Sequence, residues 1–208
     1  MKLYFTPLAC SMASRITAYE AALPVTFVEV DPKIGQLPDG GDYHAINPLG
    51  QVPALMTDAG ETMSENAAVL QYLADQAPAS GLVPRAGDIA RYHLQQWLSF
   101  IGTELHKQLF IPLLAQQSND GAKDFALLRG ARPLARLNAH LVENDYLLDR
   151  FTVADAYLVA VLNWAQYCGL DLTGYTAISA YLKRLKERPS IARAMAEETD
   201  LYLRKKAS

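Results

Sequence analysis

The sequence predicts an α/β domain followed by an all-helical one, and three observations carry that expectation. A short strand at Lys2–Phe5 and an alternating one at Val25–Val30 bracket a stretch of helical spacing. A hairpin and a further helix follow within Gln51–Asp75. Pro78–Asp88, with Pro84 and Gly87, then punctuates the chain, and no strand pattern follows it. The expected division is a mixed-sheet domain at 1–79, a connector at 80–87 and a helical domain at 88–208.

In order, Lys2–Phe5 is a strand and Thr6-Pro7-Leu8-Ala9 a loop. Met12, Ile16, Tyr19 and Leu23 recur at helical spacing, which predicts a helix over Ser11–Ala22. The crossover makes the strand at Val25–Val30 parallel to the first. Asp31–Ile46 holds two prolines and three glycines and reads as loop. Asn47-Pro48-Leu49-Gly50 is a turn, because proline fixes φ and glycine tolerates the left-handed region. Gln51–Thr57 reads as a strand, but Pro53 inside it cannot donate to a ladder, so a central position is disfavoured and a cis bond is plausible. Asp58-Ala59-Gly60 turns the chain into a return strand at Glu61–Met63, and Ser64 is expected to cap a helix with Glu65 and Asn66 in its first turn. Beyond the connector, helices are expected at Ile89–Gln116, Ala122–Asn144, Phe151–Gly169, Thr176–Glu187 and Ile191–Glu198. Thr152-Val153-Ala154-Asp155 is a capping box with Asp in place of Glu.

Composition narrows the function classes. Half the residues are apolar and 20% are charged, which suits a large core. A net charge of −3 argues against nucleic acid or an anionic membrane as the main partner. No apolar run approaches a membrane span, and Leu3–Phe5 is too short for a signal peptide. Cys10 and Cys168 fit neither a disulfide framework nor a zinc pattern, and the four histidines lack ligand spacing, so no metal is expected. A cytoplasmic protein with free thiols is the expectation.

The candidate chemistry concentrates in two places. Cys10, at a helix start after the first strand, is placed where backbone dipoles favour a thiolate, its own or a ligand's. Ser11 reads as a cap or as a partner of that thiolate. A cis bond at Pro53 would turn the Val52 N–H and C=O outward, free to pair with an extended peptide-like ligand. The next helix start offers N–H groups to a ligand carboxylate, and Glu65 can hold an ammonium. Together these suit a small zwitterionic peptide. His106-Lys107 adds a hydrogen-bonding or basic group.

The chain resembles the bacterial beta-class glutathione S-transferases over nearly its full length. The match rests on Ala9-Cys10-Ser11, Asn47–Leu55, Ser64-Glu65-Asn66, Thr103–Lys107 and Phe151–Leu158, in that order. The resemblance implies a thioredoxin-like α/β domain, an all-α C-terminal domain and a homodimer. It implies glutathione lying along Val52 with Pro53 cis, its γ-glutamyl end at Glu65 and Asn66, its sulfur at Cys10, and Gln51, Ser99, Thr103, His106 and Lys107 around it. Cys10, Ser11 and His106 are the catalytic candidates. The chain departs from the family at Phe5 for Tyr, Leu8 for Gly, Gly35 for a glutathione-contacting Lys that Lys33 can replace, and Ser99 for Asn.

Three functions follow. One is conjugation of glutathione to small hydrophobic electrophiles in detoxification, with the electrophile between the domains against Leu8, Phe110, Trp164 and Tyr167. A second is a glutathione-dependent thiol–disulfide oxidoreductase or reductive dehalogenase with Cys10 as nucleophile. A third is a binding protein for apolar compounds.

Overall fold

The structure, a computed structural model, describes residues 1–31 and 34–207. Lys33 therefore lies outside the described residues. The chain forms two compact units, 1–83 with 189–208, and 84–188.

The first unit is built on β1 (Lys2–Phe5), α1 (Met12–Glu20), β2 (Thr26–Glu29), β3 (Ala54–Met56), β4 (Thr62–Met63) and α2 (Asn66–Asp75). The sheet runs β2-β1-β3-β4, with β1 parallel to β2 and antiparallel to β3. The predicted parallel crossover is present, with Leu3 opposite Phe27. Alternation along β1 sends neighbours to opposite faces. Leu3 joins Leu55, Val69 and Leu73 in one buried cluster, while Tyr4 joins Val30, Tyr43 and Ala54 in another.

The second unit holds α3 (Ile89–Phe100), which continues as a π-helix through Ile101–Phe110 into α4 (Ile111–Leu114), then α5 (Asp120–Glu143), α6 (Val153–Leu162), α7 (Ala165–Cys168) and α8 (Thr176–Lys186). The Ile111 N–H reaches back five residues to the His106 carbonyl, just before Pro112. A proline crowds the carbonyl four residues behind it in an α-helix, and the wider turn relieves that crowding. All ten residues of α6 are buried, so it is the unit's central helix. Its capping box forms as predicted, with the Asp155 carboxylate accepting from the Thr152 N–H at 2.8 Å.

Three expectations change. The last helix, α9, runs Pro189–Ala207 and not Ile191–Glu198, and it packs on α1 in the first unit, whereas the sequence division left it with the helical half. Its exposed end is carried by i,i+4 ion pairs such as Arg204–Asp200, which give no apolar period to read. Ser64 is not the cap of α2; Glu65 occupies that position with φ +66. The helix expected over Phe151–Gly169 starts at Val153 and breaks at Asn163, whose carbonyl and side-chain oxygens accept from the Gln166 amide.

Candidate active site

In the first unit the site starts with the loop between β1 and α1. Leu8 sits at φ +61, a left-handed conformation that costs a non-glycine residue roughly 1–2 kcal/mol. Its N–H donates to Glu198 Oε2 at 2.7 Å. Glu198 is fully buried and also accepts from Arg15 Nε at 2.9 Å, while the Arg15 guanidinium stacks over the Phe5 and Phe27 rings at 4.2 and 4.1 Å. Phe5 thus supplies a face for a buried cation. Burial pushes the Glu198 carboxyl up to about 7, against the guanidinium and the Leu8 N–H that favour its charge.

Cys10 follows this loop at the head of α1 and is buried. Its Sγ–H donates to the Val52 carbonyl at 3.3 Å. Its own carbonyl accepts from Asn66 Nδ2 at 3.2 Å, and Asn66 Oδ1 accepts from Ser14 Oγ at 3.1 Å. The Asn66 side chain is thereby spent inside the fold, so α2 can meet a ligand through the first N–H groups of the helix, which have no intrahelical acceptor. Ser11 Oγ engages the Thr6 backbone at 3.3–3.4 Å and makes no cap bond; it ties the loop instead of the thiol.

The Val52–Pro53 bond is cis. Among the described residues the Val52 N–H has no hydrogen-bond partner, although β3 begins two residues later. The preceding Gln51 carbonyl is pinned by Tyr43 OH and Asn47 Nδ2, both at 2.7 Å. Burial pushes the Tyr43 phenol up to about 12, which keeps it a donor. Glu65, exposed and at positive φ, presents its carboxylate beside the start of α2. Cys10, Val52, Glu65 and Asn66 are thus gathered at one edge by the loop, the cis corner and a helix start. No group of three His, Cys, Asp or Glu among the described residues could hold a metal ion.

The helical unit holds the remaining candidates, on two faces. His106 is buried, its Nδ1 lies 2.7 Å from Tyr157 OH, and its ring stands edge-on to Trp164 at 4.9 Å. Burial, with Lys107 adding to it, drops His106 to about 4. So low a value leaves the ring neutral at pH 7, held by its contact with Tyr157 OH. The unfolded chain takes up a proton below about 6.5 that the fold refuses until about 4. Stability at this group therefore falls as pH falls through that window, by on the order of 3 kcal/mol in all. Urea titrations between about pH 7 and 4 are expected to show a loss in wild type that His106→Gln lacks; equal slopes would refute it.

Ser99, Thr103 and Lys107 are exposed. The first two line an open groove of about 690 Å³ with Glu104, Leu128, Arg129 and Arg136, away from the buried His106 face. Of the residues expected against an electrophile, Phe110 is fully buried against Trp164 and Tyr167 is exposed. Sequence reading missed Tyr157, which lies inside the quoted Phe151–Leu158 motif, and Glu198, which no local pattern marks.

A cysteine loop facing a cis-proline edge with an open N–H, on a β-α-β-β-β-α unit, defines a thioredoxin-like domain, here joined to an all-helical unit. Residues 3–81 match the family model for the glutathione S-transferase N-terminal domain, and 103–189 that for its C-terminal domain. The chain belongs to the glutathione S-transferase family. It is 41% identical over 199 residues to glutathione S-transferase GstA of Escherichia coli O157:H7, covering 95% of this chain and 98% of that one. A sphingomonad glutathione S-transferase complexed with glutathione superposes with TM-score 0.92 at 42% identity, covering 96% of this chain and 99% of the other. The bacterial beta-class enzyme of Sphingomonas chungbukensis does so with TM-score 0.91 at 40% identity, covering 95% and 98%. These relatives agree with the resemblance read from the motifs.

Proposed function

We propose that the protein binds glutathione along Val52 and conjugates it to small hydrophobic electrophiles, acting in the cytoplasm as a homodimer. The observation that carries this is the open Val52 N–H on a cis corner whose carbonyl already holds the Cys10 thiol at 3.3 Å. A tripeptide paired with that N–H carries its own cysteine next to Cys10. Its γ-glutamyl carboxylate meets the start of α2, and its ammonium meets the Glu65 carboxylate. Gln51 flanks the other end, Lys33 is a further candidate that lies outside the described residues, and Ser99, Thr103, His106 and Lys107 are the candidates of the helical unit. Dimerisation is supported by the Arg-lined groove at Ser99 and by Phe125 and Leu128, which stand exposed on α5. Two free cysteines suit a reducing compartment.

In conjugation the bound glutathione thiol loses its proton to solvent, and its sulfur attacks the electrophilic carbon as the leaving group departs. The protein contributes position and thiolate stabilisation. The closeness of Cys10 to the docking edge supports a second reaction. The Cys10 thiolate attacks the glutathione sulfur of a mixed disulfide, releasing the other thiol; a second glutathione thiolate then frees Cys10 and leaves as oxidised glutathione. Assays of aryl-halide conjugation and of mixed-disulfide reduction separate the two. Cys10→Ala is expected to keep conjugation within about tenfold, roughly 1.4 kcal/mol, and to lose disulfide reduction. Loss of both by several orders of magnitude would make Cys10 the nucleophile of the main reaction. Absence of both in wild type would favour a binding protein.

A further inference from the structure

The sheet does not set the plane of the peptide that opens the docking edge. Its register ends with Ala54 opposite Tyr4, and Pro53 has no N–H with which to extend it. Gln51 and Val52 lie beyond that end, and the peptide between them is trans. A trans peptide is planar and sends its C=O and its N–H to opposite sides. Whatever holds the Gln51 carbonyl therefore aims the Val52 N–H. Two side chains hold it. Tyr43 OH and Asn47 Nδ2 both donate to that oxygen at 2.7 Å, which occupies both of its lone pairs. Rotating the peptide out of this orientation breaks both bonds at once.

Both donors are anchored in the core of the first unit. Tyr43 is fully buried in the cluster with Tyr4, Val30 and Ala54, its ring 5.7 Å from that of Tyr4 on β1. Its N–H donates to the Gly35 carbonyl at 2.7 Å. Asn47 is buried as well; its N–H donates to the Tyr43 carbonyl at 2.9 Å, and its Oδ1 accepts from the Leu49 N–H at 3.2 Å. The phenol and the amide thus reach the docking peptide from one short stretch packed on Tyr4. The Val52 N–H, on the other side of the same plane, has no partner among the described residues. Neither side chain needs to touch a ligand to decide where that N–H points.

We propose that Tyr43 and Asn47 are positioning residues for the docking edge: by bracing the Gln51 carbonyl they fix the Gln51–Val52 peptide plane, and so aim the Val52 N–H at a carbonyl of the bound tripeptide. This rests on the glutathione reading above. Calorimetric titration of the full chain with glutathione, and with an isostere in which an alkene replaces the cysteinylglycine peptide, tests it in wild type, Tyr43→Phe, Asn47→Asp and the double variant. The isostere keeps both ends and the thiol but has no carbonyl there for Val52 to meet. Tyr43→Phe removes only the hydroxyl, and Asn47→Asp keeps an acceptor for Leu49 while removing the donor to Gln51. Each single variant is expected to raise the dissociation constant for glutathione about threefold and the double variant about tenfold, with the isostere moving by less than about twofold. Steady-state conjugation should show the same split, a raised KM for glutathione with kcat unchanged. Melting curves certify the fold, and the single variants carry the test if the double variant fails to fold. An equal loss for both ligands would give the pair a purely structural role and overturn the proposal. So would no loss for glutathione, or a fall in kcat with KM unchanged. The two readings fail differently. Wild type that binds neither ligand, or both equally, removes the pairing of the tripeptide with Val52 itself; wild type that prefers glutathione, with that preference intact in the single variants, removes only the brace.

Discussion

Asp155→Ala is expected to lower the unfolding free energy by about 4 kcal/mol, a large share of a typical domain's stability. The carboxylate is fully buried and accepts four hydrogen bonds, from the Thr152 N–H at 2.8 Å, Thr152 Oγ1 at 3.0 Å, the Leu147 N–H at 3.0 Å and Tyr181 OH at 2.8 Å. Desolvation raises its pKa, and the four donors oppose that rise. Alanine strands the donors where no water reaches, and each unsatisfied buried donor costs about 1–3 kcal/mol before relaxation. Asp155→Asn keeps one acceptor oxygen and should lose about half as much. Urea unfolding followed by far-UV circular dichroism checks both; a loss for Asp155→Ala below about 1 kcal/mol would show that the cap is not what holds the helical unit together.

Glu198→Ala should be nearly as damaging in the first unit, at about 3 kcal/mol or more. It leaves the Arg15 guanidinium, itself buried, with the partly exposed Glu197 and the Tyr19 hydroxyl, and it leaves the Leu8 N–H without this acceptor. Leu8 is held in a strained conformation two residues before Cys10, so disulfide reduction should fall along with stability. The double variant Arg15→Met with Glu198→Leu separates charge from packing, since replacing both partners of a buried pair by apolar residues is often neutral. Recovery of stability without recovery of disulfide reduction is the expected result. A pH series adds a sign. The fold keeps a proton on Glu198 up to about 7, whereas the unfolded chain releases it near 4.5. Native stability at this residue is therefore lost as pH rises through that window, opposite to the behaviour of His106. Glu198→Gln should remove the dependence; an unchanged profile would refute the assignment.

Much of this was legible in the sequence. The crossover of Lys2–Phe5 and Thr26–Glu29, the corner at Pro53 and the cap at Thr152 and Asp155 are local patterns, and each formed where the residues indicated. What stayed hidden depends on distance along the chain or on backbone conformation. Arg15 and Glu198 are 183 residues apart, so no period or spacing connects them. Glu65 sits at positive φ and displaced Ser64 from the cap, although serine is the better capping residue, because the chain leaving β4 enters α2 through that conformation. The departures from the family also became readable only in three dimensions. Leu8 takes a glycine-like φ under the hold of Glu198, and Gly35 leaves room for the His44 ring.

The return of the last helix to the first unit has a consequence during synthesis. A ribosome delivers residues 1–83 before Glu198, which follows more than a hundred residues later, on the order of ten seconds at ordinary elongation rates. Throughout that interval the nascent thioredoxin-like half carries a cation at Arg15 with neither Glu197 nor Glu198 to meet it, and a cysteine loop without its brace. The thiol loop thus reaches its finished shape only after the segment that carries Glu198 has been made and has docked.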